Sequence, residues 1–426
     1  MPPIPVVLIG AGQRGAGAYA SYALRRPEEM RIVAVAEPDD RKRAQLAKDH
    51  EIPAKRCFRS WEDLLDAPVM GEAALVCTAD DQHVAPSIGA LEVGYHVVVE
   101  TPMAQTPSQC LKLLETAKSN RQMLLLTHVL RYTAFYRALF NIVRSGRLGQ
   151  IVQYNHHYSM AFWHMAHRFV RGSERHNSVS PMILSAGSHE FDLLLWLLDD
   201  SIESVSSSGS LQHFRIEKAP IGNVPERCVD ECPIEEECPF SAIGTYIDKR
   251  FRDQPSSGWP YSALAHGDES PEALDNAIRK GEWGKCVYHY DNDVVDHQAV
   301  ILETKSGVSA ALTISGHNMT ERRMIKIDGS HGSLVADFNG LDSHITVAVH
   351  ATKQESTMNF RLGSTGHGGD HGLMGALRKV VHGEAPPLTL AQDTWLSHML
   401  AFAVEEARTS RKVVTFPHYL ASQKSG

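Results

Sequence analysis

The chain has 426 residues, 43% of them hydrophobic and 22% charged, with a formal net charge of −8 at pH 7; this is too long for one small core and suits two globular domains. The negative balance argues against nucleic acid or an anionic membrane as partner, no apolar run approaches a membrane span, and Met1-Pro2-Pro3 carries neither the basic region nor the cleavage site of a signal peptide. Seven cysteines in such a chain point to a reducing, cytoplasmic compartment with thiols free or on metal.

The first element sets the theme. The apolar run Val6-Val7-Leu8-Ile9 feeds into Gly10-Ala11-Gly12-Gln13-Arg14-Gly15, and a helical stretch follows over 16–24. A strand, a tight turn and a helix N-terminus in this order form a dinucleotide cradle: Gly10 permits the turn, Gly12 admits a pyrophosphate and Gly15 lets helix and strand pack closely. The helix N-terminus offers free N–H groups to phosphate. A second apolar run, 31–36, ends on Glu37, 22 residues after Gly15. That is where the carboxylate for the adenosine ribose is expected, so NAD is favoured. Arg41, Lys42 and Arg43 leave NADP open, since one of them could hold the extra phosphate.

Strands and helices then alternate. Helix 40–48, a helical piece at 61–65, strand 73–78, helix 82–91, strand 96–100, helix 106–119 and strand 123–127 read as a parallel, doubly wound sheet. Ligands of such a sheet lie at the C-terminal strand ends. This puts Thr78, Asp80, His83, Glu100, Thr101 and Pro102 with the glycine loop and Glu37 as cofactor contacts, and Arg131 and Tyr132 near a substrate, unless those two form an ion pair between domains. The first domain is expected over 1–127.

From Gly149 the strands 151–158, 297–303, 308–314, 324–328 and 345–350 alternate in polarity. They predict a largely antiparallel open sheet with helices on one face, hence an α/β domain over 128–426. A polar segment over about 214–284 reads as an insertion, and 391–409 as a late helix.

Four motifs together resemble the Gfo/Idh/MocA family of NAD(P)-dependent oxidoreductases. They are the GAGQRG loop, Thr78-Ala79-Asp80-Asp81-Gln82-His83, Gly94 to Met103 with Glu100-Thr101-Pro102, and Ser185-Ala186-Gly187-Ser188-His189-Glu190-Phe191-Asp192. The resemblance extends over most of the chain. It is closest to a branch with Trp163-His164-Met165-Ala166-His167, a cysteine segment and the run 286–297. It implies a Rossmann domain, an α/β domain often used for oligomer contacts, and a sugar-like or polyol substrate between them. It also implies a cis Thr101–Pro102 bond and an active-site role for His189, as base in alcohol oxidation or acid in carbonyl reduction. Three charged positions of the family are missing. Thr101 stands for the lysine of Glu-Lys-Pro, Ser185 for an aspartate, and Ala186 for a lysine of the close branch. A threonine hydroxyl carries no positive charge at pH 7, so the usual acid is absent.

Other candidates surround His189. Asp192, three residues on, shares a helix face and could orient it or be a buried structural carboxylate. Trp163, His164 and His167 suggest a loop that grips hydroxyls, with either histidine a substitute acid; the plain alternative is a polar surface loop. Gly366 to Gly372 is a flexible loop over the site or a linker. Cys228, Cys232 and Cys238, with Cys286 as a fourth thiolate, could hold structural zinc or an iron–sulfur cluster, or stay free buried thiols.

The chain is thus expected to be an NAD(P)-dependent oxidoreductase of a sugar-like or polyol hydroxyl, a homo-oligomer without nucleic-acid or membrane partner. Two alternatives remain open: a redox-neutral NAD-dependent glycoside hydrolase or lyase, and a non-catalytic cofactor-binding regulator.

Overall fold

A computed structural model describes residues 2–425 apart from 251–257, 266, 341 and 362–367. Strands β1 (Ile4–Ile9), β2 (Met30–Ala36), β3 (Cys57–Phe58), β4 (Ala73–Val76), β5 (His96–Val99) and β6 (Leu124–Leu126) form one parallel sheet in the order β3-β2-β1-β4-β5-β6. Every residue of β4 and β6 is buried, as the continuous apolar runs require of strands covered on both faces. Alternate residues of β1 serve two cores: Val6 and Leu8 join one cluster, Val7 and Ile9 the other.

Three helices of this half begin on side-chain caps, those at Asp40–Asp49, Trp61–Asp66 and Pro107–Asn120. Asp39 accepts hydrogen bonds from the backbone N–H groups of Arg41 and Lys42 before helix Asp40–Asp49, and Thr106 accepts from Gln109 N before Pro107–Asn120. The helix after the glycine loop differs from the simple expectation. It starts as a π-helical segment, Gln13–Ala20, and becomes α-helical only at Ser21–Arg25.

The second sheet has nine strands: β7 (Ile151–Ala161), β8 (Ile202–Ser210), β9 (His297–Thr304), β10 (Ser309–Asn318), β11 (Arg322–Gly329), β12 (Gly332–Phe338), β13 (Ser343–Val349), β14 (Gln354–Phe360) and β15 (Val414–Thr415). Their order is β14-β13-β12-β11-β7-β10-β9-β8-β15, antiparallel throughout except for the β7–β10 pair. Burial alternates along β9 and β10. The inner residues pack on helices Gly187–Leu198 and Leu396–Ser410, bringing Leu312, Ile314, Leu194 and Val404 into one core.

The chain returns to the first sheet before it ends. Leu373, Met374 and Leu377 of helix Gly369–Val381 join the β1 core, and Leu126 N donates to the Thr389 carbonyl. In the polar insertion the described residues form short helices, Ala242–Tyr246, Tyr261–Leu264 and Pro271–Lys280, around a small core of their own. No helix among the described residues is long and apolar enough to cross a membrane.

Candidate active site

The glycine loop has the backbone its sequence demands. Gly10 sits at φ +92°, and a Cβ there would lie 2.5 Å from the Cys77 carbonyl oxygen. A Cβ on Gly15 would lie 2.1 Å from the Gly10 carbonyl oxygen, whereas one on Gly12 would meet only open space. The loop is therefore tight below and open above. Glu37, at the end of β2, accepts from Ala11 N at 2.7 Å and from Asp39 N at 3.0 Å. Arg43 turns back as the basic cluster allowed, but its guanidinium donates to the Glu37 carbonyl and pairs with Asp40. The residues fit a nicotinamide dinucleotide: an uncapped helix start, an open position over Gly12 and a carboxylate beside the loop.

Arg14 and Glu100 form the next layer. The Arg14 guanidinium spans Glu100 at 2.7 Å and Asp370 at 2.7 Å, so it ties the glycine loop to the returning helix. Burial alone would raise the Glu100 carboxyl. Arg14, together with hydrogen bonds from Thr127 and Tyr19, holds it at about 2. Thr101–Pro102 is cis. His83 pins that segment, with Nδ1 2.7 Å from the Pro102 carbonyl and Nε2 3.1 Å from the Thr78 carbonyl. His83 is 1% exposed, so it is a clasp between two strand ends. Gln13 accepts from Ser262 of the insertion at 3.3 Å.

The two halves meet at Thr101 and His189. The threonine hydroxyl lies 2.9 Å from His189 Nε2. Burial pushes the imidazole down to about 4, against the opposing pull of Glu190, so it is neutral near pH 7. His189 Nδ1, the Ser185 hydroxyl and Asp80 Oδ2 are buried without hydrogen-bond partners among the described residues. Glu100 and Arg168 act electrostatically on both His189 and Asp80. Burial and Glu174 raise the Asp80 carboxyl well above its ordinary range.

Two further buried imidazoles back His189: His128, at the strand end where a ligand is expected, and His398, which the sequence does not single out. His128 meets His189 edge to face at 5.4 Å and lies 5.6 Å from His398. His398 Nε2 accepts from Met103 N at 3.0 Å, and His128 Nε2 lies 3.2 Å from the Ser397 hydroxyl. Burial lowers both, His398 to about 3. Single histidines on otherwise apolar elements give no periodic signal.

Several expected roles change. Arg131 is committed to Asp192 in a buried bidentate pair at 2.7 Å for each bond and to the Leu388 carbonyl at 3.0 Å. The ion-pair alternative therefore holds for Arg131, and Asp192 holds this arginine instead of orienting His189. Tyr132 is 9% exposed, and its hydroxyl lies 3.3 Å from that of Thr389. His164 and His167 sit on helical turns, not a surface loop. His164 Nδ1 lies 2.6 Å from Glu321, and His167 Nδ1 lies 2.9 Å from the Tyr246 hydroxyl. Trp283 stacks on His167 at 4.6 Å, and Trp259 packs against Trp163, His164 and His167. Among the described residues no hydrogen bond or ring contact joins either histidine to His189.

Cys228, Cys232, Cys238 and Cys286 do line one small cavity, of about 10 Å³. Yet no group of three or more His, Cys, Asp or Glu among the described residues is arranged to hold a metal ion, which corrects the zinc expectation. Burial raises the Cys238 thiol and pushes Cys286 up to about 11, so both stay protonated and pack. Gly366 and His367 of the glycine-rich loop lie outside the described residues, and Gly369 to Gly372 begin a helix.

Comparison with known proteins follows the same division. Residues 4–128 match the GFO_IDH_MocA model, an oxidoreductase family with an NAD-binding Rossmann fold, and 141–384 match that family's C-terminal alpha/beta domain. An inositol 2-dehydrogenase from Leifsonia xyli is 30% identical over 211 residues, 48% of this chain and 56% of that protein. One from Pseudomonas savastanoi is 29% identical over 199 residues, 46% of this chain and again 56% of the relative. The match thus spans little over half the length of these curated relatives. An Agrobacterium radiobacter oxidoreductase solved with NAD+, L-tartaric acid and magnesium has a TM-score of 0.70 at 13% identity, covering 97% of this chain and 99% of that one. An aldose-aldose oxidoreductase from Caulobacter crescentus, solved with glycerol, has a TM-score of 0.66 at 13% identity and the same coverage. At such identities the structures speak for the fold alone.

Proposed function

The chain belongs to the Gfo/Idh/MocA oxidoreductase family, and from that premise we propose that it transfers hydride between NAD and a hydroxyl-bearing carbon of a sugar-like or polyol substrate. The single observation that carries this reading is the 2.9 Å contact between Thr101 and a buried, neutral His189. The 30% identical inositol 2-dehydrogenase supports the substrate class.

Gly10, Ala11, Gly12, Gln13, Arg14 and Gly15 would hold the dinucleotide, with Glu37 on the adenosine ribose and Thr78, Asp80, Glu100, Thr101 and Pro102 toward the nicotinamide end. When bound, the nicotinamide ring supplies the hydride acceptor, or the donor in the reverse direction. Glu37 favours NAD over NADP, because its carboxylate repels a 2′-phosphate and Arg43 is held by Glu37 and Asp40.

The proton is handled by the chain itself. A threonine hydroxyl both donates and accepts. In oxidation the substrate hydroxyl gives its proton to Thr101 Oγ1, which passes its own to His189 Nε2. In reduction the path reverses. The relay needs a neutral imidazole to start oxidation, and burial supplies one at pH 7. A relay of this kind replaces the missing lysine without a fixed cation. The Ser185 hydroxyl and Asp80 Oδ2 would take up hydroxyls of the substrate, since buried polar atoms need partners.

The test is absorbance at about 340 nm, the NADH band, with purified protein, NAD and a panel of polyols and aldoses. Reduction of NAD by one of them supports the reading. Cleavage of a chromogenic glycoside without net NADH would replace it with the redox-neutral alternative.

A further inference from the structure

We propose that His398, on helix Leu396–Ser410, is a positioning residue for Thr101: with Ser397 and His128 it holds both partners of the Thr101–His189 contact in place. The inference deepens the proton relay described above and rests on that reading for its effect on rate.

The Pro102–Met103 peptide unit, directly after Thr101, is pinned at both of its polar atoms. His83 Nδ1 lies 2.7 Å from the Pro102 carbonyl, and Met103 N donates to His398 Nε2 at 3.0 Å. Met103 and His398 are 295 positions apart, and both are buried. Without the imidazole, the Met103 N–H would be left buried and unpaired, so the backbone would shift toward another acceptor. A relay through Thr101 is sensitive to such a shift. Its Oγ1 must meet His189 Nε2, now at 2.9 Å, and a substrate hydroxyl at the same time.

The same bonds settle which nitrogen carries each hydrogen. A backbone N–H only donates, so His398 Nε2 accepts. Burial holds this imidazole down to about 3, so it is neutral and its hydrogen sits on Nδ1. Nδ1 lies 3.2 Å from the Ser397 hydroxyl, whose own hydrogen goes to the Thr394 carbonyl at 2.7 Å. The Ser397 oxygen is thus an acceptor for His128 Nε2 as well, at 3.2 Å. The Asp192 carboxylate, 3.7 Å from that nitrogen, favours a hydrogen there too. His128 in turn meets His189 edge to face at 5.4 Å. A closed circuit results, from Thr101 through Met103, His398, Ser397 and His128 to His189 and back to the threonine. Each backing imidazole has one tautomer in it, and neither ring can flip without losing a hydrogen bond.

The test is a double-mutant cycle between His398→Leu and Thr101→Val in the full chain, read by steady-state kinetics on a compound that reduces NAD. Positioning predicts that His398→Leu lowers kcat by roughly 10- to 100-fold while KM for NAD stays within about twofold. His398→Gln, whose amide oxygen can accept from Met103 N, should recover most of the rate. In the Thr101→Val background His398→Leu should cost little further, since no hydroxyl is left to place. Equal losses in the two backgrounds, or a folded His398→Leu enzyme as fast as wild type, overturn the proposal. Thermal melts verify folding, and should His398→Leu fail to fold, Ser397→Ala carries the comparison. A second readout needs no turnover: the ¹⁵N resonance of His189 Nε2 in histidine-labelled protein, assigned by its loss in His189→Ala. His398→Leu should move it toward its position in Thr101→Val, and an unmoved resonance overturns the proposal. If no compound reduces NAD, the redox reading fails, and the resonance still decides the role of His398.

Discussion

The Thr101 hydroxyl reaches from the end of the parallel sheet to His189 Nε2 at 2.9 Å, on the first turn of a helix that packs under the second sheet. This one contact crosses the seam between the two halves. It stands where the family resemblance leads one to expect a lysine, and it gives the imidazole a hydroxyl partner instead of a cation. If it relays a proton, Thr101→Val will lower kcat for alcohol oxidation by roughly 10²- to 10⁴-fold, the usual worth of general acid–base catalysis. Thr101→Ser will keep most of the rate. Steady-state kinetics on the two variants decide it, and equal losses would mean that the hydroxyl is idle.

Acid stability follows from the buried imidazoles. His189 has a folded value of about 4, against about 6.5 for an unfolded histidine. Between those values the unfolded chain binds a proton that the folded chain refuses. Stability is therefore fully present above about pH 6.5 and declines as pH falls toward about 4, by about 3 kcal/mol for this residue. His398, at about 3, acts in the same sense and extends the window lower. Urea melts from pH 7 to pH 4 should show this slope, and His189→Gln should flatten part of it. A slope unchanged in the variant would contradict the assignment.

Arg131 and Asp192 give a structural prediction that a substrate role would not. Arg131→Met leaves a buried carboxylate unpaired and should cost about 3–5 kcal/mol. Adding Asp192→Leu should recover most of that loss. Denaturant melts of the single and double variants test the pair. A stable Arg131→Met enzyme with a sharply raised KM would return Arg131 to the substrate.

For the cofactor, Glu37→Gln should weaken NAD binding by roughly 10- to 100-fold, as expected when hydrogen bonds to a charged group are lost. Glu37→Arg should shift preference toward NADP. Titration calorimetry with both nucleotides measures each. Unchanged NAD affinity in Glu37→Gln would remove the ribose role.

Five of the six strands of the first half were legible because they are largely apolar runs, and three of its helices carry side-chain caps, while the two-residue, half-buried β3 gives no such signal. The second half was legible only where polarity alternates. Strand β8 reads IESVSSSGS and β14 reads QESTMNF. Six of the seven β14 residues are exposed and the last is half-buried, at the edge of the sheet, so no apolar pattern marks them. Strand β15 has two residues. At the site, local motifs drew attention to Thr101 and His189, while partnerships between distant residues stayed hidden. Arg131 and Asp192 are 61 positions apart, and Arg14 and Asp370 are 356 apart. His128 and His398 come together only because their elements pack.

The central claim is tested most directly by following NADH formation at about 340 nm with wild type and His189→Ala over one panel of polyols and aldoses. The account predicts NAD reduction by at least one compound in wild type and a roughly 10²- to 10⁴-fold slower rate in the variant. An intact NAD-binding protein that turns over no compound in either direction, or a variant as fast as wild type, would contradict it.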